Sequence, residues 1–533
     1  MKETIDINNI SPEKFTFVSA EGRLHDKGLE TKPVGYLRDA WNRFKKNKGS
    51  VFAAIIIGLL VLFSIFAPMV SQYEIKDQDM TFAYCYPKSS LSEKTGADFW
   101  DGCVVKEHSI NQFLYNYAIG VETGHSAVKN QKYTVRKSNE GEELFKYRFD
   151  TYRKQGVVYM TLQIDEYEKL QQYQDETGIQ VIYPTTVKNK RPGAHQDQGD
   201  ANYWYKTKTQ GGKTVPVYTK DEDGNYVFED IYREYSGLNP ETGEAFDGYH
   251  SKLFFGEGET AENRMYDYGR ALQNNTQYEL RVDYYEYYIY NHTYVLKDGI
   301  KQPLFIFGTT ASGKDILTCL GGGARLSFLL AIAVSLVNLI VGTIYGAIEG
   351  YYGGAADMIM ERFAEILSAV PFMIVITLLK MHMKGSSQLL ILFIAFFLTG
   401  WISAAGRTRM QFYRFKNQEY VMAARTLGAS DLRVMFKHIF PNSLGTLITS
   451  TVLVIPGMIF SESSLSYLGI INLEAGRLTS VGTMLSAADP YLSSYPYMMV
   501  FPAVFISLLM LSFNLFGNGL RDAFNPSLRG TEE

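Results

Sequence analysis

Cysteine and histidine are scarce: three and eight in 533 residues. So few thiols exclude a disulfide-stapled scaffold. His108, His125, His195, His250 and His292 are scattered, without zinc-type spacing, and no metal or other cofactor is expected. Charge of one sign is also lacking. A net of −4 gives no basic excess to meet a phosphate backbone, so no nucleic acid partner is expected. No nucleophile–base pair stands out, which argues against an enzyme. Between residues 72 and 307 there is no apolar run of membrane length.

One stretch does invite an enzymatic reading. "GTTASGKDIL" at 308–317 nearly spells the phosphate-binding loop G-x-x-x-x-G-K-[ST]. The last position needs a hydroxyl to hold Mg²⁺. Here it is Asp315, a negative charge where the anion would lie. A nucleotide site is therefore not expected.

The hydrophobicity that exists is concentrated. Residues 51–70 carry no charge, and twenty such residues cross the ~30 Å hydrocarbon core as a helix. Five further runs follow, near 326–347, 364–379, 389–404, 444–461 and 497–516. The first run follows fifty residues and is too long for a signal-peptide core, so it reads as an anchor. Lys and Arg placement sets the orientation. Arg38, Arg43, Lys45, Lys46 and Lys48 put the N-terminus inside, and Arg521 and Arg529 do the same for the C-terminus. The segment 406–441, with seven basic residues, also falls inside. Lys380 and Lys384 run against the rule. The expected organisation is a cytoplasmic region 1–50, an anchor 51–71, an extracellular insert 72–307, a five-helix membrane domain 308–525 and a cytoplasmic tail 526–533.

The insert carries 36 acidic and 27 basic residues, net −9, and 28 of the 38 tyrosines. Such a break in composition marks a separate folded domain. Alternation of Tyr278, Leu280 and Val282 with Glu279, Arg281 and Asp283 predicts a strand. Asp223-Gly224 predicts a hairpin within 215–228, residues 165–178 a helix stopped by Gly178, and 188–200 a loop. An α+β domain is expected. Its tyrosines build either a core or an adhesive surface, and the core is favoured. Cys85 and Cys103 either pair or remain separate thiols.

The most patterned polar stretch is "NQEYVMAARTLGASDLRVMFKHIFPN" at 417–442. Glu419 opens a run of helix formers. Gly428 can take the positive φ that ends a helix, and Ser430 can cap a second one with Asp431 at its positive end. Leu432, Met435, Phe436 and Ile439 share one face of that helix, and Pro441 is expected to stop it. The stretch is either an amphipathic helix lying on the membrane or a docking element for a soluble partner.

It resembles the EAA loop of binding-protein-dependent ABC importer permeases. Ala423, Ala424, Gly428, Ile439 and Pro441 match that pattern; Met422 stands where Glu is frequent, with Glu419 nearby. The rest of the chain is similar to the C-type subunit of oligopeptide/dipeptide permeases. "LRDAWNRFKKNKGSVFAAIIIGLLVLFSIFAPMV", "GTTASGKDILTCLGGGARLSFLL", "GYYGGAADMIMERFAEILSAVPFMI", "ESSLSYLGI" and "FNLFGNGLRDAFNP" follow that family's order. The long insert departs from it.

The resemblance implies an α-helical polytopic membrane protein. Its fold would be the type I ABC importer fold of about six helices, with the α+β insert added. The chain would form half of a peptide channel in a bacterial cell membrane, beside a B-type permease subunit. Two ATP-binding subunits would hydrolyse ATP, and an extracellular peptide-binding lipoprotein would deliver the peptide. Glu419, Ala423, Ala424, Gly428, Ser430, Ile439 and Pro441 would form the ATPase-coupling loop. Glu462 and Asn514 are polar at membrane depth, either on the translocation pathway or as helix–helix hydrogen bonds. Two other classes remain: a mechanotransmission-type ABC permease, and a membrane-anchored receptor using the insert.

Overall fold

The computed structural model describes residues 36–138, 141–186, 201–202, 207–210, 213–224, 226–228, 266–272, 276–473 and 478–524. The loop expected at 188–200 and the tail at 526–533 lie outside the described residues. Helix α1 (Tyr36–Lys46) meets α2 (Lys48–Val70) at Asn47, whose side chain accepts from the Ser50 amide. α2 is apolar on every face, as a lipid-embedded helix must be.

The insert has two small layers. In the first, strand Glu143–Asp150 lies between antiparallel strands Cys103–Ser109 and Val128–Lys137. α3 (Ser90–Thr95) precedes this sheet, and α4 (Ile110–Ala118) packs Phe113, Leu114 and Tyr117 onto Phe145, Tyr147 and Phe149. In the second, strand Gln277–Asp283 pairs with Val157–Gln163 and Arg270–Leu272. α5 (Ile164–Thr177) covers it and ends at Gly178, φ +71°, as expected. The hairpin also forms, but from Tyr218–Lys220 and Tyr226–Phe228. Val215 belongs to the preceding strand pair.

The period-2 strand is right and its polar face is not solvent-exposed. Arg281 is fully buried, donating two bonds to the Glu122 carboxylate and others to the carbonyls of Pro184 and Ala201. A buried ion pair survives because every charge is hydrogen-bonded. Many of the insert's tyrosines are core: Tyr117, Tyr147, Tyr152, Tyr173, Tyr226 and Tyr288 are all buried. Cys85 and Cys103 are separate thiols. Cys85 is sealed beneath Phe82 and Tyr152 and donates to the Thr151 carbonyl, while Cys103 sits beside Asp101. Burial pushes the Cys85 thiol up to about 12, away from the reactive thiolate.

The insert's two ends meet in an aromatic cluster of Tyr73, Phe82, Tyr152, Phe305 and Tyr288, the last on α6 (Tyr284–Tyr290). The near-phosphate loop lies here and is a latch. Thr309 pairs with Cys85 through backbone and side chain, and its hydroxyl also donates to the Phe82 carbonyl. A Cβ on Gly313, φ +76°, would overlap the Asp79 carbonyl. Asp315 is buried and caps α7 (Ile316–Tyr352), accepting from the amides of Leu317 and Thr318 and from Ser71. The carboxylate thus occupies the helix N-terminus that a phosphate would need.

Beyond it, the body is helical. α7 packs along α10 (Gln388–Phe415) through Gly342, Gly346 and Gly350, four residues apart. A Cβ at Gly346 would lie 2.1 Å from the Ala405 carbonyl. Small residues at this spacing let two helix backbones approach. Between them run α8 (Gly354–Ser368) and α9 (Phe372–His382), bent by 74° at 369–371. Pro371 explains the break, since it disfavours helix at the preceding residue and has no amide to donate.

After α11 (Glu419–Thr426) and α12 (Asp431–Arg433), a π-helical turn at Val434–Ile439 leads into α13 (Phe440–Tyr467). α14 (Val481–Ala488) and α15 (Tyr497–Phe524) follow. Five described helical runs are long and apolar enough to cross a membrane: α2, α7, α10, Asp431–Tyr467 and α15. The bent pair makes a sixth if counted as one span. The expected third run is therefore a broken one.

Candidate coupling site

At the end of α7 remote from the insert, α11 and α12 form a helix–turn–helix. The turn is a Schellman motif: the Gly428 amide donates to the Arg425 carbonyl and the Ala429 amide to that of Ala424, with Gly428 at φ +82°. Ser430 takes the N-cap position of α12, but its side chain makes no capping bond. Asp431 instead accepts from the Tyr351 hydroxyl of α7 at 2.6 Å. Arg425 lies 4.9 Å over the Tyr351 ring.

The expected apolar face is split in two. Met435 and Ile439 are buried with Val421 and Val434 against Ala347, Tyr351 and Phe412, so they anchor the segment to α7 and α10. Leu432 and Phe436 point outward, joined by Met422 and by Leu427 at 87% exposure. The π-turn produces this division. It adds a residue to one turn, with the Phe440 amide donating to Met435, five residues back. It also removes the stop expected at Pro441. That proline enters the first turn of α13 and the helix runs on to Tyr467. Glu419, Ala423 and Pro441 are exposed and Ala424 half-buried.

A charged cluster lies beside the anchor. Arg409 of α10 binds Asp357 of α8 through two nitrogens, at 2.6 and 3.0 Å, and reaches Glu349 of α7 at 3.6 Å and Glu361 at 3.4 Å. The Tyr413 hydroxyl also donates to Asp357, and Lys416 to the Gly350 carbonyl. The end of α7 thus touches the helix–turn–helix through Tyr351 and the bent helix through Arg409. Tyr351, Asp357 and Arg409 were not singled out from the sequence as site residues. The "GYYGG" turn, with Asp357 four residues past Gly353, is the signal that could have found them.

Glu462 and Asn514 are not brought together. Glu462 is 1% exposed in α13 and accepts from Ser327 of α7 at 2.8 Å and from Ser466 at 3.1 Å. That geometry is a helix–helix hydrogen bond. Asn514 is exposed on α15. Among the described residues no group of three or more His, Cys, Asp or Glu side chains is placed to hold a metal ion.

Known proteins match two parts of this chain. The family profile "Binding-protein-dependent transport system inner membrane component" matches residues 338–530, and "N-terminal TM domain of oligopeptide transport permease C" matches 35–87. Residues 88–337 lie in neither match. The "Oligopeptide transport system permease protein OppC" of Bacillus subtilis (strain 168) is 45% identical over 224 residues, 42% of this chain and 72% of that protein. The "Dipeptide transport system permease protein DppC" of the same organism is 39% identical over 224 residues, 42% of this chain and 69% of that one. The OppC protein of Escherichia coli (strain K12) is 37% identical over 223 residues, again 42% of this chain and 72% of its own length. Apolar helices of membrane length and these relatives make the chain an integral membrane protein. It belongs to the binding-protein-dependent ABC importer permeases, in the oligopeptide/dipeptide C-type group.

Proposed function

We propose that this chain is one of two permease subunits of a peptide importer driven by separate ATP-binding subunits. The observation that carries the reading is the outward apolar face of the helix–turn–helix: Met422, Leu427, Leu432 and Phe436 exposed beyond a buried anchor. A lipid-lying helix would not need a Schellman turn and a hydrogen-bonded clasp to α7. A docking knob does, because it must arrive at its groove already shaped.

The knob is tied to the body by its apolar anchor and by Tyr351, which meets Asp431 and Arg425. Displacement of α11 and α12 by an ATP-binding subunit would load Tyr351 at the end of α7. From there the Arg409–Asp357 pair leads to α8 and the bend before α9. Rigid-body rocking of these helices against a B-type permease would alternate access to a pathway between the two subunits. The termini and the helix–turn–helix would be cytoplasmic and the insert extracellular, on the side where a peptide-binding lipoprotein delivers cargo. ATP hydrolysis belongs to the partner subunits in this scheme.

Tagged protein extracted in mild detergent should copurify with two ATP-binding chains and a second permease. Their absence from a complex that still carries out peptide uptake would overturn the proposal.

A further inference from the structure

The insert does not stand clear of the membrane body. The segment from α3 to Trp100 reaches the flank of the body through the Trp100 ring, beside Phe307 and Phe501 of α15. Phe63 of α2 begins a continuous aromatic stack. Its ring lies 6.4 Å from Phe307, which stacks on Phe501 of α15 at 4.2 Å. Trp100 is 6.0 Å from Phe501 and 6.4 Å from Phe307, and Phe99 meets Trp100 edge-on at 4.9 Å.

The depth of this stack follows from helix geometry. Phe63 lies seven residues before the end of α2 at Val70, about 10 Å along the axis at 1.5 Å per residue. Phe501 is about 6 Å inside the start of α15 at Tyr497 by the same rise. Trp100, packed on Phe501, therefore sits about one helical turn inside the end of α15, in the band where tryptophan collects at membrane interfaces. Its neighbours face outward. Phe99 is 72% and Leu91 71% exposed, and the nearby ends of the spans are also apolar and exposed, with Phe66, Met69 and Val70 on α2 and Val500 and Val504 on α15.

A second observation is independent of exposure. Trp100 has φ +60°, a left-handed conformation that a bulky residue adopts only under constraint. The constraint is visible: its indole N–H donates to the Ile306 carbonyl and its ring closes the stack on Phe501. Backbone strain held in place by the surroundings is a mark of a functional position.

We propose that Leu91, Phe99 and Trp100 form an interfacial foot that rests in the lipid leaflet on the insert's side and seats the insert on the membrane. The occupant is the acyl–headgroup boundary of lipid, because the stack joins Phe99 and Trp100 to Phe501 and Phe63 on two helices of membrane length. The importer reading above enters only in naming that leaflet the outer one.

The test uses the full chain, purified free of other subunits and placed in proteoliposomes. The chain has four tryptophans, so Trp41→Phe, Trp204→Phe and Trp401→Phe leave Trp100 as the single fluorophore. Lipids brominated near the headgroup should quench Trp100 more strongly than lipids brominated at the chain end. Equal emission in brominated and ordinary lipid would overturn the foot.

A spin label on Phe99→Cys, read against the parent chain, provides the second measurement if the tryptophan variant fails to fold. The label should be more accessible to oxygen than to an aqueous nickel chelate. The reverse order would place the foot in water. Low access to both reagents would mean that a protein partner covers it. Either result overturns the proposal. Neither readout depends on ATPase association, so the foot and the importer reading can fail separately.

Discussion

Leu427→Asp separates docking from folding at the helix–turn–helix. Leu427 is 87% exposed at the C-cap of α11, so the isolated chain should hardly notice the change. Exposed substitutions cost within ~0.5 kcal/mol, and a carboxylate at a helix C-terminus adds ~0.3–1 kcal/mol. In the docked state the account differs. Loss of a buried leucine removes ~1.5–3 kcal/mol of transfer energy. Desolvating a polar group without a partner costs ~1–3 kcal/mol more. A loss of at least ~2.5 kcal/mol weakens association by nearly two orders of magnitude. Ile439→Ala should behave in the opposite way. Ile439 is fully buried in the anchor, and truncation of a core isoleucine costs ~2–5 kcal/mol of stability. The assay is paired: copurification of the ATP-binding subunits, and thermal stability of the extracted chain. Leu427→Asp should lose partners at near-normal melting temperature, and Ile439→Ala should melt early. Normal partner recovery with Leu427→Asp would refute the assignment of the outward face.

Gly428→Ala should lower transport mildly and Gly428→Val more severely, because nothing lies within 4 Å of an added Cβ and only the positive φ is penalised, by ~1–2 kcal/mol; equal uptake by all three chains would remove the turn from the mechanism. Cysteines placed at Ser90 and Ser430, both exposed, should label oppositely with an impermeant reagent in intact cells, Ser90 reacting and Ser430 not, and the reverse pattern would invert the proposed orientation. Cys85 should resist alkylation in the native chain and react after denaturation, since burial holds its thiol near 12; rapid native labelling would contradict that burial. Asp101 is half-buried, which alone would raise its pKa, but Lys129 and the Cys103 amide hold its carboxyl below the usual range. A depressed carboxylate contributes stability above its unfolded pKa and loses it as pH falls through the folded value. Acid unfolding followed by tyrosine signals should therefore start at higher pH in Asp101→Asn than in the parent, and coincident curves would deny the ion pair a role.

What the sequence alone determined was whatever depends on neighbours along the chain. Twenty uncharged residues before 71 make a membrane-length helix wherever they are. The Gly428 turn and the Gly178 stop need only a residue without a Cβ at a positive φ, and both form where expected. The split of Met435 and Ile439 from Leu432 and Phe436 was not legible. A helical wheel at 3.6 residues per turn puts all four on one face, and the π-turn that separates them answers to packing against Phe412 and Tyr351. The same holds for Arg281, whose strand alternation predicts but whose burial it does not, since Glu122, 159 residues away, draws it into the core. It also holds for Asp315, whose near-phosphate loop makes sense only once Cys85 and Ser71 lie against it. Local propensity chooses a helix, a strand or a turn. Which face of each is buried depends on contacts between distant residues, and these exist only after the chain has folded.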